Sequence, residues 1–180
     1  MELQRAGRGD YPALKKLYTE AFPAEERAPF WVLTRRARQG RGDFWVLRDG
    51  SRFAGLAYVI CRADMAYVFY LAVEKEMRGR GLGTQAVRAL IRAYEGKRLF
   101  LALERLDETA PNYAQRLSRH AFYERCGLRD LPHYIKEANV VYAIMGTGGP
   151  IRPEEYNAMM RAYAGPVFGR FVDLGIVESV

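Results

Sequence analysis

Apolar residues recur along this chain at two spacings, and the switches between them mark out its elements. Leu14, Leu17, Tyr18 and Ala21 stand three and four apart, which is the spacing of one helical face, so a helix is predicted behind a short strand at 2–6. Asp10 stands where an N-cap belongs, and Pro12 falls in the first turn. Pro23 and Pro29 bracket a break, Phe22-Pro23-Ala24-Glu25-Glu26-Arg27-Ala28-Pro29. A second helix is predicted over 30–39, ended by Gly40 and Gly42. Alternation then takes over. Strands are predicted at 43–48, 52–61 and 65–73, joined by the hairpin signal Asp49-Gly50 and the turn Arg62-Ala63-Asp64, as an antiparallel meander.

From Gly81 the helical spacing returns, with Val87, Leu90, Ile91 and Tyr94 on one face and Gly96 as the stop. Arg98 to Glu104 is a short continuous apolar run, as suits a strand buried on both faces. A strand, a helix and a strand in this order form a right-handed crossover, which sets 98–104 parallel to 65–73. A helix at 111–125, ended by Gly127, and strands at 131–136 and 139–145 follow. After the loop Gly146 to Pro150, Tyr156, Met159, Met160 and Tyr163 mark a last amphipathic helix behind Pro153. The expected fold is a mixed α/β (α+β) sheet flanked by helices. It forms one domain over 1–180, with a core at 1–146 and a C-terminal helical extension at 147–180. The tail's apolar residues Met159, Met160, Val167, Phe168 and Phe171 need burial, either in a substrate cleft or in a homodimer interface.

The chain has 180 residues, 49% hydrophobic and 27% charged, which excludes disordered and fibrous classes. No apolar stretch reaches the roughly 18 residues of a membrane span, so no membrane partner is expected. Met1-Glu2-Leu3-Gln4-Arg5 lacks the apolar core of a secretory signal, which makes a cytoplasmic location the expectation. Cys61 and Cys126 are isolated, and His120 and His133 are too scattered for a metal site, so no metal is expected. Cys126 with His120 nearby makes only a weak nucleophile motif; a buried apolar thiol is the ordinary reading. The net charge of +7 fits nucleic acid or a small polyanion. The arginines are spread rather than blocked, which makes nucleic acid the weaker choice.

The chemistry concentrates at Arg78-Gly79-Arg80-Gly81-Leu82-Gly83, between a strand and a helix. The first amides of a helix lack intrahelical acceptors, and the dipole adds partial positive charge there. Glycines let the backbone approach an anion, and Arg78 and Arg80 add full charges, so Arg78 to Thr84 suits a pyrophosphate. A glycine-rich surface turn with solvated arginines is the alternative. The segment is not a P-loop, and the dinucleotide fingerprint would need glycine where Ala86 stands.

The same six residues resemble the R/Q-x-x-G-x-G/A signature of the GCN5-related N-acetyltransferase (GNAT) superfamily, placed as in that family after an aliphatic strand, Tyr70-Leu71-Ala72-Val73. Ala121-Phe122-Tyr123-Glu124-Arg125-Cys126-Gly127-Leu128 is similar to the family's helix ending in F/L-Y-x-x-x-G-F, with Leu128 in place of the usual Phe. Phe22-Pro23-x-Glu25-Glu26-Arg27-x-Pro29-Phe30 and Arg119-x-x-Phe122-Tyr123-Glu124-Arg125-x-Gly127 resemble a bacterial subgroup of unassigned substrate. The resemblance implies a GNAT-like acyl-CoA N-acyltransferase fold in which the parallel strands 65–73 and 98–104 splay apart. It also implies acetyl transfer from acetyl-CoA as co-substrate to a small-molecule or peptide amine, an EC 2.3.1 reaction.

By that resemblance Leu71, Ala72 and Val73 hold pantetheine through their backbone, as an added strand would be held. Arg78, Gly79, Arg80, Gly81, Leu82, Gly83 and Thr84 hold the pyrophosphate. A backbone N–H near Leu71 or Ala72 supports the thioester oxygen. Tyr123 matches the general acid, set against a tyrosine that only packs its ring. Glu104, at a strand end, is the first candidate for the base, set against an exposed strand-end carboxylate. Glu25 and Glu26 are candidates for binding a cationic acceptor or for serving as the base, set against a simple helix N-terminal pair. Asn112 reads as the N-cap of its helix, with contact to pantetheine as the weaker alternative. Many relatives carry Asn seven residues before the tyrosine, where this chain has Arg116, which puts a pantetheine contact from that helix in doubt. A sensor that binds acetyl-CoA without turnover, and a basic nucleic-acid-binding protein, are the other function classes.

Overall fold

Each predicted switch of hydrophobic period becomes a change of element. The computed structural model describes residues 1–137, 140–168 and 174–177. The strands are β1 (Glu2–Arg5), β2 (Asp43–Asp49), β3 (Arg52–Arg62), β4 (Met65–Val73), β5 (Arg98–Glu104), β6 (Arg129–Glu137), β7 (Val140–Gly146) and β8 (Leu174–Val177). The helices are α1 (Tyr11–Ala21), α2 (Phe30–Arg38), α3 (Leu82–Ala93), α4 (Tyr113–Cys126) and α5 (Pro153–Phe168). Short 3₁₀ turns cover Arg8–Asp10, Ala24–Glu26 and Lys75–Met77. No helix is long and apolar enough to cross a membrane among the described residues.

The chain divides into two compact units. The first comprises Met1–Cys61 and Val68–Glu95. In it β1 pairs antiparallel with β2 from Glu2↔Arg48 to Arg5↔Trp45, and β2 with β3 from Asp43↔Val59 to Asp49↔Arg52. The second register shifts after Leu47, which leaves Ala54 as the extra residue of a bulge beside Gly55. A β-carbon on Gly55 would run into the Ala72 carbonyl oxygen, so the approach of β3 to β4 requires glycine there. Of the helical faces read from the sequence, Leu14, Leu17 and Tyr18 on α1 and Val87, Leu90 and Tyr94 along α3 are buried, while Ala21 and Ile91 are half-buried; Leu33 on α2 and Val46, Leu56 and Tyr58 on the sheet join the core. Each such side chain contributes about 1.5–3 kcal/mol of transfer free energy. Asp10 is a correction. It precedes α1, but its carboxylate accepts the Gly7 N–H at 2.9 Å and Arg48 at 3.0 Å, and it makes no cap to α1.

Asp43 joins three elements of this unit. It pairs with Arg5, whose guanidinium lies 4.2 Å from the Trp45 ring centroid, and it accepts from Tyr94 Oη at 2.5 Å. Tyr94 Oη in turn accepts from Trp45 Nε1 at 2.9 Å. Burial, and then the hydrogen bond to Asp43, push the Tyr94 phenol far above its ordinary pKa.

The second unit comprises Arg62–Tyr67 and the described residues from Gly96 onward. The predicted parallel pairing is Met65↔Arg98, Ala66↔Leu99 and Tyr67↔Phe100. The register stops there, although the strands run on to Val73 and Glu104; this is the splay that the resemblance implied. β7 pairs antiparallel with β5 and with β6, and β6 pairs with β8. The predicted pair at 131–136 and 139–145 is realised as β6 and β7, with Asn139 outside the described residues. β8 has no counterpart in the sequence reading. Tyr67 stacks on Phe100 with centroids 4.8 Å apart, and Tyr156 of α5 meets both rings edge-on. Tyr156, Met159, Met160 and Tyr163 are buried, as their spacing predicted. Gly165 breaks α5 with φ 68°. Val167, Phe168 and Phe171, which the sequence marks for burial, have side chains outside the described residues.

Arg98 ties this unit at three points. Its guanidinium donates to Asp64 at 2.7 and 2.9 Å, to Glu155 at 2.9 Å through two nitrogens, and to the Pro150 carbonyl at 2.8 Å. Glu155 also accepts from the Arg152 N–H and guanidinium, each at 3.0 Å. Arg98, then Arg152, hold the Glu155 carboxyl well below the usual carboxylate range, and Arg98 lowers Asp64. Depressed folded pKa values stabilise the fold above the unfolded value of about 4.3, and that stabilisation is lost as pH falls through the folded values. Thermal unfolding followed by circular dichroism is therefore expected to show Tm falling steadily below about pH 4. Glu155→Gln is expected to cost about 1–2 kcal/mol at neutral pH and to flatten that decline.

Candidate active site

One group of candidate residues lies within the first unit. β4 ends at Val73, a 3₁₀ turn follows, and α3 begins at Leu82. Gly79 has φ 77° and Gly81, at the N-cap of α3, has φ 75°. A β-carbon at either position would meet no atom within 4 Å, so glycine is required by the left-handed backbone, and the space above the loop is open. The first helical bond of α3 runs from the Gln85 N–H to the Gly81 carbonyl at 3.1 Å. The amides of Leu82, Gly83 and Thr84 therefore have no intrahelical acceptor, and the dipole of a twelve-residue helix adds to them. Arg78 turns back to donate to the Val73 carbonyl at 3.2 Å, while Arg80 is exposed and only 3.9 Å from Asp49. Phe69, Leu71 and Val73 alternate as half-buried positions with buried Tyr70 and Ala72. The open glycine turn, the unused amides and the two arginines suit the diphosphate of a CoA thioester, and the β4 backbone suits its amide-bearing arm.

Glu25 and Glu26 lie in the 3₁₀ turn of the same unit, and both are exposed. The sequence offered no signal for what holds this segment. Tyr18 and Tyr70, placed far apart in the chain, both bond to it.

A second group of candidate residues lies within the second unit, on α4 and the end of β5. Tyr123 is partly exposed on α4, its ring 5.0 Å from that of Phe122. No hydrogen bond to its hydroxyl occurs among the described residues. Burial raises its phenol above the ordinary value of 10.0, against a smaller opposing pull from Arg119. Glu104 is fully engaged. Its Oε1 accepts from Asn112 at 3.1 Å and faces Arg116 at 3.2 Å, and its Oε2 accepts from Arg119 at 3.1 Å. Arg116 also donates to Asn112 Oδ1 at 2.7 Å and to the Arg105 carbonyl at 2.9 Å. Asn112 thus precedes α4 as predicted but spends its side chain on Glu104 and Arg116 and makes no cap bond. The residue that departs from the family pattern, Arg116, joins Arg119 in fastening α4 to the end of β5.

His120 gathers two carboxylates that the sequence separates: Nε2 lies 2.8 Å from Asp130 and Nδ1 3.8 Å from Glu124. The carboxylates take opposite ring nitrogens and tie α4 to the start of β6. Cys126 is buried, and His120 is turned to Asp130, so the weak Cys–His reading has no support in the geometry.

Removing Arg116 leaves part-buried Glu104 and the Arg105 carbonyl short of donors. Arg116→Met is expected to destabilise the protein by about 2–3 kcal/mol in urea titration, and Arg116→Lys, which cannot span three acceptors, by about half of that.

Residues 11–128 match the family described as Acetyltransferase (GNAT) family. A sequence search of curated proteins returns no match. Among solved structures, one described as an acetyltransferase from the GNAT family of Bacteroides thetaiotaomicron is similar at 21% identity and a TM-score of 0.74, covering 94% of this chain and 99% of that one. The ribosomal-protein-S18-alanine N-acetyltransferase from Escherichia coli is similar at 21% identity, 84% and 95% coverage and a TM-score of 0.59. An aminoglycoside 6'-N-acetyltransferase complexed with coenzyme A is similar at 17% identity, 85% and 99% coverage and a TM-score of 0.63. At these identities the solved structures establish the fold, and the family match carries the rest. The chain belongs to the GNAT acetyltransferases, acyl-CoA-dependent N-acyltransferases that move an acetyl group to an amine.

Proposed function

We propose that this protein binds acetyl-CoA on the β4–α3 segment and transfers its acetyl group directly to a primary amine, with Tyr123 as the general acid. The observation that carries the reading is the start of α3, where two left-handed glycines with open space above them precede amides that lack intrahelical acceptors. Gly79, Arg80, Gly81, Leu82, Gly83 and Thr84 hold the diphosphate, with Arg78 beside them; Leu71, Ala72 and Val73 offer backbone groups to the pantetheine.

The thioester supplies an activated acetyl carbonyl. The amine nitrogen forms the new C–N bond, the C–S bond breaks, and Tyr123 gives its proton to the departing sulfur. The raised pKa of Tyr123 supports this role, since the phenol stays protonated through neutral and mildly alkaline pH. A backbone N–H near Leu71 or Ala72 donates to the thioester oxygen. The three donors on Glu104 favour it as the residue that sets α4 in place. Glu25, Glu26 or a water then takes the proton of the amine. The exposed pair also suits a cationic acceptor, and neighbours named for an aminoglycoside and for a protein alanine span the small-molecule and peptide classes considered.

The test is CoA-thiol release across polyamines, amino acids, aminoglycosides and peptides with free N-termini. Turnover of one class is expected; CoA binding without turnover of any would leave a sensor. With the best amine, Tyr123→Phe is expected to lower kcat about 10–100-fold with CoA affinity unchanged, and wild-type activity should show no loss to phenol ionisation below about pH 10. Gly81→Val, which forces a branched residue to positive φ, is expected to weaken CoA binding in calorimetry by about tenfold or more.

A further inference from the structure

The segment between α1 and α2 is short of structure of its own. From Phe22 to Pro29 it contains one 3₁₀ turn, closed by Glu26 N–H to the Pro23 carbonyl at 3.1 Å and by Arg27 N–H to the Ala24 carbonyl at 3.4 Å. Its Arg27 guanidinium donates to the Thr19 carbonyl at 3.2 Å, and two tyrosines bond to its main chain. Tyr70 Oη donates to the Glu26 carbonyl at 2.8 Å and accepts the Ala28 N–H at 3.0 Å. Tyr18 Oη donates to the Ala28 carbonyl at 2.9 Å. The two rings meet edge-on at 4.9 Å, Phe22 packs on Tyr70 at 4.8 Å, and both tyrosines are buried, with 2% and 5% exposure for Tyr18 and Tyr70. A phenol with donor and acceptor both committed to main chain fixes a backbone two residues apart, and does so from a rigid strand. Tyr70 immediately precedes half-buried Leu71 on β4, and its ring lies 4.5 Å from that of its other neighbour, Phe69.

We infer that Tyr70, seconded by Tyr18, is a positioning residue for the amine acceptor: it fixes the Glu25–Glu26 turn to the strand that carries the donor residues, so that acceptor carboxylates and donor backbone keep one spacing. The inference rests on the reading of Glu25 and Glu26 as acceptor-side residues. Neither tyrosine touches reacting atoms. Loss of the Tyr70 hydroxyl strips two main-chain groups of their partner in a largely exposed loop, so the turn loosens while the β4 ladder and the α3 amides are untouched.

The experiment pairs amide hydrogen exchange with steady-state kinetics on the full chain, comparing wild type with Tyr70→Phe and Tyr18→Phe. In Tyr70→Phe the Ala28 amide is expected to exchange at least about tenfold faster while β2 and β3 amides keep their protection. KM for the best amine of the screen should rise about tenfold, with KM for acetyl-CoA and the affinity for CoA unchanged. Tyr18→Phe, which leaves the Ala28 N–H bonded, should show a smaller rise in amine KM and little change in Ala28 exchange. Unchanged Ala28 exchange in Tyr70→Phe overturns the clamp. Faster exchange with unchanged amine KM, or an equal rise in both KM values, overturns the positioning role. Absence of wild-type turnover with every amine refutes instead the reading on which the inference rests, and the exchange result still decides the clamp.

Discussion

β4 pairs with β5 for three residues and then stops, and much of the molecule follows from that interruption. Up to Tyr67 the strand belongs to the second unit, where its ring stacks on Phe100 and anchors Tyr156. From Val68 onward it belongs to the first, where the close approach at Gly55 holds it against β3. One strand thereby serves two cores. Its second half delivers Leu71, Ala72 and Val73 directly into the glycine turn and α3, and it sends Tyr70 back to the segment between α1 and α2.

Guanidinium groups do much of the joining elsewhere. Arg98 fastens the β3–β4 turn and the start of α5, Arg116 fastens α4 to β5, and Arg5 joins β1 to β2. A planar fork with five donors can satisfy carbonyls and carboxylates from different elements at once, which an ammonium cannot. Part of the positive charge that suggested a polyanionic partner is thus spent on internal acceptors. Arg78, which also donates to the Val73 carbonyl, and Arg80, 3.9 Å from Asp49, keep their charge in the loop that leads into α3, where charge and dipole act together.

The fold was legible where local rules decide. Period two and period 3.6 arise from the backbone, so Leu14, Leu17, Val87, Leu90, Tyr156 and Met159 declared their faces without reference to any partner. The glycine turn was legible for the same reason, since a left-handed residue before a helix limits the side chains it tolerates. The caps misled. Asp10 and Asn112 stand at helix starts, where their short polar side chains are favoured, yet neither side chain caps its helix: Asp10 bonds to Arg48, and Asn112 bonds to Glu104 and to Arg116 four residues on. Both side chains go into charge-assisted bonds, Asp10 with Arg48 and Asn112 with Arg116 and Glu104, and the fold rather than the helix start sets which partner wins. Glu104, read as a candidate base or an exposed strand-end carboxylate, is held by three donors that its strand-end position did not announce.

The sequence by itself determined the order of elements, their buried faces, and a helix start shaped for a diphosphate, because those depend on spacing and on backbone geometry within a few residues. Tertiary structure alone decided where the long polar side chains went and how the irregular segment is held. Those choices depend on groups such as Tyr70 and Glu26, or Arg98 and Glu155, that are remote in the chain and meet only once it has folded.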